Sequence, residues 1–151
     1  MPAAGDIIYA SDINNLAAKF GQWLTYTPVL YTAMGTTPTV LASTNATGRY
    51  KILDDTIFFE AEVTASAAST GGLGMSLPLV SSERWQNIGT AVVMGGGANV
   101  WPGSPAAGTV QAGIAYMAAD LAKIVIVSLS GGFNIQSASG NTIRASGFYR
   151  R

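Results

Sequence analysis

The stretch GRYKILDDTIFFEAEV, residues 48–63, decides the fold. Asp54-Asp55 reads as a tight turn, because Asp tolerates turn conformations, positive φ included. A two-residue loop pairs Leu53 with Thr56, Ile52 with Ile57, Tyr50 with Phe59 and Arg49 with Glu60. One face of this hairpin carries Tyr50, Ile52, Ile57, Phe59, Ala61 and Val63. The other carries Arg49, Lys51, Phe58, Glu60 and Glu62. Alternation with period two holds on both strands at once. That fixes the register, since a slip of one residue would turn every apolar side chain to water.

The window also holds four of the chain's eight acidic residues, Asp54, Asp55, Glu60 and Glu62. A catalytic pair of carboxylates needs a cleft and at least one desolvated member. Here Arg49 stands opposite Glu60, with Lys51 and Glu62 diagonal to that pair, and all of them face away from the apolar side. The expected role is structural: a wet, salt-bridged hairpin face in which each exposed pair contributes ~0.2–1 kcal/mol. Asp54-Asp55 lacks the DxDxDG spacing of a calcium loop.

Working outward, the text from Trp23 onward stays β-like. Short runs rich in Thr, Val, Ile, Tyr and Phe are separated by Gly, Ser, Pro and Asn. Strands are expected at 25–32, 47–53, 56–64, 73–77, 88–95, 109–118, 122–130 and 142–149. Eight short strands in this length predict a mainly β domain, an antiparallel sandwich or jelly roll. KIVIVSLS is apolar on both faces at its start, the pattern of a central strand. TASAASTGG and MGGGANVWPGSPAAG read as exposed loops.

Residues 1–24 differ. In ASDINNLAAKFG, Ser11 is placed to cap a short helix with one apolar stripe, Ile13, Leu16, Ala17 and Phe20, and Gly21 to stop it. A helix of ~10 residues is unstable without packing, so the stripe docks on its own domain, a symmetry mate or an anchoring protein. The expected organisation is therefore an anchoring or oligomerisation segment over 1–24, with Ile13, Leu16, Phe20 and Trp23 as its contacts, and a β domain over 25–151.

The totals restrict the chemistry. The 151 residues suit one domain with a substantial core. Charged residues are only 11% against 48% hydrophobic, so much of the surface is Ser, Thr, Gly, Ala and Asn or is covered by partner chains. Zero net charge predicts no broad attraction to nucleic acid or anionic membrane. The absence of Cys and His removes disulfides, thiolate nucleophiles, imidazole bases and Cys/His zinc sites. No apolar run approaches the ~20 residues of a membrane helix, and MPAAGDII lacks the basic start of a signal peptide. Membrane insertion is not expected, and synthesis in a cytoplasm without classical export is.

Other motifs carry little chemistry. GGLGMS and GGGANV lack both GxGxxG and the P-loop lysine. A serine triad needs a base, and scattered lysines do not define one. Asn45-Ala46-Thr47 matches a glycosylation sequon, which has meaning only in a secretory pathway.

One resemblance runs along the chain. W-x-x-Y-T-P (Trp23, Tyr26, Thr27, Pro28), GTTPT at 35–39 and GRYK at 48–51 come in an order that resembles a β domain of bacteriophage tail proteins. TIFFEAEV, the Gly-rich approach to S-L-P in GGLGMSLP at 71–78, and the closing ASGFYRR are similar to the same family. GDIIYASDINNLA resembles the openings of phage fibre and minor tail proteins. Asp54-Asp55 stands where many relatives carry Gly, and residues 80–120 match nothing in the pattern. The resemblance implies a homotrimeric β domain on a virion, assembled in the bacterial cytoplasm, held to other virion proteins by its N-terminal segment, with no enzymatic activity and no cofactor.

On that reading the chain is a structural protein of a tail fibre, tail tip or minor tail assembly. Its distal loops are expected to contact a host-surface glycan, weak sites being multiplied by three-fold valency. Trp85 in SSERWQN and Trp101 with Asn99 in ANVWPGS are the candidate contacts; a loop Trp either stacks on a sugar or caps the core. The alternatives are a capsid decoration or head-fibre protein and, in a different class, a free carbohydrate-binding module.

Overall fold

The computed structural model describes residues 21–34, 37–82, 87–96, 105–128 and 135–151. The expected helix, with Ile13, Leu16 and Phe20, and the loop residues Trp85, Asn99 and Trp101 lie outside them. Ten strands follow in chain order: β1 (Leu24–Tyr26), β2 (Leu30–Thr32), β3 (Thr39–Val40), β4 (Ser43–Leu53), β5 (Thr56–Ala65), β6 (Leu73–Ser76), β7 (Asn87–Met94), β8 (Val110–Met117), β9 (Lys123–Ser128) and β10 (Thr142–Arg150). They form one antiparallel sheet in the order β1-β4-β5-β10-β7-β8-β9-β6-β2-β3.

The sheet is curled, and chain connectivity requires it. β4 and β3 stand eight strand spacings apart in the sheet order, ~38 Å if the sheet were flat. Yet Val40 and Ser43 are separated only by Leu41 and Ala42, a reach of ~11 Å at most. The two ends must therefore approach each other, and backbone bonds from Leu41 to Leu30 (2.9 Å) and from Ser66 to Ala42 (2.9 Å) fasten the step.

Curling makes one face concave, and the core fills it. Leu30, Ile57, Phe59, Val63, Leu73, Met75, Ile124, Ile126 and Ile143 are fully or almost fully buried. They come from strands across the whole width of the sheet. The mainly β class holds. Where the alternation suggested the two stacked sheets of a sandwich or jelly roll, a single hydrogen-bonded order runs through all ten strands, and its two halves face each other across the core by curvature.

The hairpin register expected from residues 48–63 is the one observed, Leu53 with Thr56 through Arg49 with Glu60. Asp54 takes a φ of 58° in the turn. Upstream the β4–β5 pairing slips between Thr44 and Thr47, and Asn45 there has a φ of 50°. The Asn of the sequon thus sits at a β-bulge, where Asn accepts the left-handed conformation more readily than most residues.

The expected strand 25–32 is two strands at opposite ends of the sheet. β1 pairs with β4 and β2 with β6. Pro28 between them cannot donate to a ladder and marks the break. β9 is central as expected, lying between β8 and β6.

The rims of the curl are closed by hydrogen bonds. At one, the Tyr149 hydroxyl donates to the Leu79 carbonyl at 2.8 Å and accepts from its amide at 3.2 Å. At the other, buried Ser69 and Ser137 exchange 2.7 Å bonds, and the Asn141 carboxamide oxygen accepts from the Gly96 amide at 3.1 Å.

Candidate functional site

Alternation places a second set of side chains on the convex face, and the pairings align them in rows. Arg49 of β4 lies opposite Glu60 of β5, which lies opposite Ser146 of β10, which lies opposite Thr90 of β7. The next row runs Thr47, Glu62, Arg144 and Val92. Between these rows and Thr25 of β1 is an open depression of about 540 Å³, a volume within the range of small-molecule and saccharide sites.

Its charges are paired. Both Nε and Nη2 of Arg49 meet one oxygen of Glu60, at 2.8 and 2.6 Å. Arg144 Nε donates to Glu62 Oε2. Glu62, diagonal to the Arg49–Glu60 pair within the hairpin, thus finds its partner on β10. The reason is tertiary: β10, distant in sequence, places Arg144 directly opposite Glu62. The pairs are half exposed, and such pairs contribute ~0.2–1 kcal/mol each.

Lys51 turns instead to aromatic rings. Its Nζ lies 5.2 Å from the Trp23 ring centre and 5.3 Å from that of Phe58. Arg49 Cζ lies 4.7 Å from Trp23. At exposed sites such cation–π contacts are worth ~0.5–1 kcal/mol each. Phe58 in turn meets Phe148 with ring centres 6.0 Å apart, and Phe148 is 60% exposed. A ledge of Trp23, Phe58 and Phe148 therefore borders the charged rows. Trp23, expected as an anchoring contact, is part of this ledge and is 38% exposed.

At the hairpin turn, Arg150 Nε lies 3.7 Å from Asp55 Oδ2, and Thr56 Oγ1 donates to Asp55 Oδ1 at 3.1 Å. Among the described residues no three carboxylates or other metal-ligating side chains come together, and no helix is long and apolar enough to cross a membrane.

The titrating groups shifted from their ordinary values lie away from the depression or beneath it. Burial pushes the Tyr149 phenol up to about 12, against the Leu79 hydrogen bond that favours ionisation. Burial also raises Tyr26, with Tyr149 nearby adding to the effect. The Tyr26 ring lies edge-on to Tyr50 at 6.0 Å, and its hydroxyl is buried with no hydrogen-bond partner. Partial burial opposes ionisation of Asp120, yet hydrogen bonds from Lys123 and the Ala122 amide hold its carboxyl below the usual range.

The structure thus brings together Trp23, Arg49, Lys51, Glu60 and Glu62 from the sequence reading and leaves Asp54 and Asp55 at the hairpin tip. It adds Arg144, Ser146, Phe148, Thr90 and Thr25. The period-two pattern of TIRASGFYR put Arg144, Ser146 and Phe148 on one face, but no local signal said which strand they would join. No family model, characterised protein or solved structure matches the chain.

Proposed function

We propose that this protein is a non-enzymatic structural component of a bacteriophage virion, in a tail fibre, tail tip or minor tail assembly, that presents the convex face of β1-β4-β5-β10 to a host-surface saccharide. On this reading it assembles as a homotrimer, and residues 1–24 carry the short helix that seats it on the particle. The two facing halves of the curled sheet play the part of the two layers of a sandwich.

The observation that carries the contact role is the depression beside Trp23. Its rim offers the hydroxyls of Thr25, Thr47, Thr90 and Ser146 together with two arginine–carboxylate pairs. Hydroxylated ligands are held by such donor and acceptor pairs, and Trp23, just outside the lining, supports Arg49 through its ring contact at 4.7 Å. The carboxylates are held in ion pairs on an open surface, a setting that serves recognition better than acid–base catalysis.

Two measurements test the reading. Mass spectrometry and a density map of purified particles are expected to find the protein in the tail; its absence from particles overturns the structural role, and a position on the head supports the capsid-decoration alternative. Titration with polysaccharide from the host surface is expected to show binding that Trp23→Ala and Arg144→Ala each weaken at least three-fold. Binding unchanged in both variants removes this face from host contact.

A further inference from the structure

The basic side chains borne by β4 and β10 are Arg49, Lys51, Arg144 and Arg150. Each arginine meets a carboxylate, Arg49 that of Glu60, Arg144 that of Glu62 and Arg150 that of Asp55. Lys51 meets none among the described residues. Its ammonium lies over the Trp23 and Phe58 rings, 5.2 and 5.3 Å from their centres. Ring faces attract the charge without engaging it as a carboxylate would, so its N–H donors stay available to an anion arriving from solution.

The register extends this row across the face. Lys51 lies opposite Phe58, and Phe58 opposite Phe148. The two phenyl rings are 6.0 Å apart and tilted by 39°, and Phe148 is 60% exposed. Towards the hairpin turn the rings border a cleft of about 330 Å³ that Thr56 and Arg150 also line. In the other direction the Arg49–Glu60–Ser146 row of the depression is two residues along each strand, ~7 Å away. Cleft, rings and depression thus follow one another along β5 and β10.

We propose that Lys51, Phe58 and Phe148 form a second subsite beside the depression, which takes an acidic sugar residue: the sugar ring rests on Phe148 and its carboxylate pairs with Lys51. The proposal rests on the saccharide reading above and gives the saccharide a class, a polysaccharide that carries carboxylates. Each arginine pair is neutral as a unit, and an anion approaching Arg49 or Arg144 must compete with Glu60 or Glu62. At Lys51 it displaces nothing, so the pull on a negative ligand is concentrated there. The rings select further. A small inorganic anion gains nothing from two phenyl faces, whereas a sugar ring bearing an acid meets both the rings and the charge.

The probe is polysaccharide extracted from the host surface, before and after carbodiimide–borohydride reduction of its carboxylates to alcohols, titrated into the full chain. Reduction is expected to weaken wild-type binding about ten-fold, and 1 M salt to remove the difference between the two forms. Lys51→Gln is expected to weaken binding of the native form about ten-fold and to leave binding of the reduced form unchanged. Phe148→Ala, at an exposed position, is expected to weaken both forms about three-fold, because the ring meets the sugar with or without its charge. Equal wild-type binding of native and reduced forms, or Lys51→Gln without effect, overturns the subsite, while the saccharide reading still stands on Arg144→Ala. A Lys51→Gln loss of the same size on the reduced form overturns the carboxylate as its partner. If Lys51→Gln fails to fold by circular dichroism, the comparison of native and reduced forms on wild type and Phe148→Ala decides. A wild type that binds neither form overturns both readings.

Discussion

Gly147 shows how narrow the tolerances are in this sheet. A Cβ added there would lie 1.8 Å from the Ile88 carbonyl oxygen and 2.8 Å from Gly89 Cα. Gly147 and Gly89 face each other across β10 and β7, so only the absence of both side chains lets these backbones approach. Gly147→Ala is expected to destabilise the protein by ~1–3 kcal/mol, the range of overpacking in a tight site, read as a lower urea midpoint with an unchanged slope. Tyr149 is a second sensitive position. Burial pushes its phenol up to about 12, above the ordinary tyrosine value. The neutral phenol is therefore the form the fold favours. Its stabilisation is complete below pH 10 and is lost as pH rises towards 12. Thermal melts between pH 9 and pH 12 are expected to show a falling midpoint. Tyr149→Phe is expected to flatten that fall and to cost ~0.5–1.5 kcal/mol at neutral pH through the lost bond to Leu79.

At the scale of elements, the β4–β5 hairpin was legible in the sequence down to its register. Two strands with opposed faces and a short turn admit one pairing that keeps Tyr50, Ile52, Ile57 and Phe59 on one side. The ionic layout on its outer face was legible only within the hairpin. Arg49–Glu60 follows from that register, whereas Glu62–Arg144 depends on β10 arriving from 82 residues away. Both pairs are exposed, so a double-mutant cycle on Arg49 and Glu60 is expected to return a coupling below ~1 kcal/mol that shrinks further in 1 M salt. Ile57→Ala on the inner face of the same strand, at 0% exposure, is expected to cost ~2–5 kcal/mol. The contrast, measured by equilibrium unfolding, separates the face that holds the sheet together from the face that adds little to its stability.

For the whole molecule, the convex surface changes character from one half to the other. The β1-β4-β5-β10 side is polar, ion-paired and edged by Trp23 and Phe148. The outer side of β7-β8-β9 carries Val92, Ile114, Val125 and Val127, with Lys123 its one charged side chain among the described residues. If the chain forms the proposed homotrimer, its thermal midpoint is expected to rise with protein concentration, because association stabilises only the folded chain; a midpoint constant over a hundred-fold range of concentration counts against it. The sequence by itself determined the mainly β class, the approximate place of most strands and the hairpin register, because period-two alternation and turn residues are local properties of the chain. It also determined that no Cys or His chemistry is available. Only the tertiary structure decided that Pro28 divides one apparent strand between opposite ends of the sheet. It likewise decided that the Leu41-Ala42 step forces the sheet to curl, and that Arg144, Ser146 and Thr90 complete a depression beside Arg49 and Glu60. Those outcomes depend on which distant strands become neighbours, and that is settled by burying one shared core, not by any pattern within a strand.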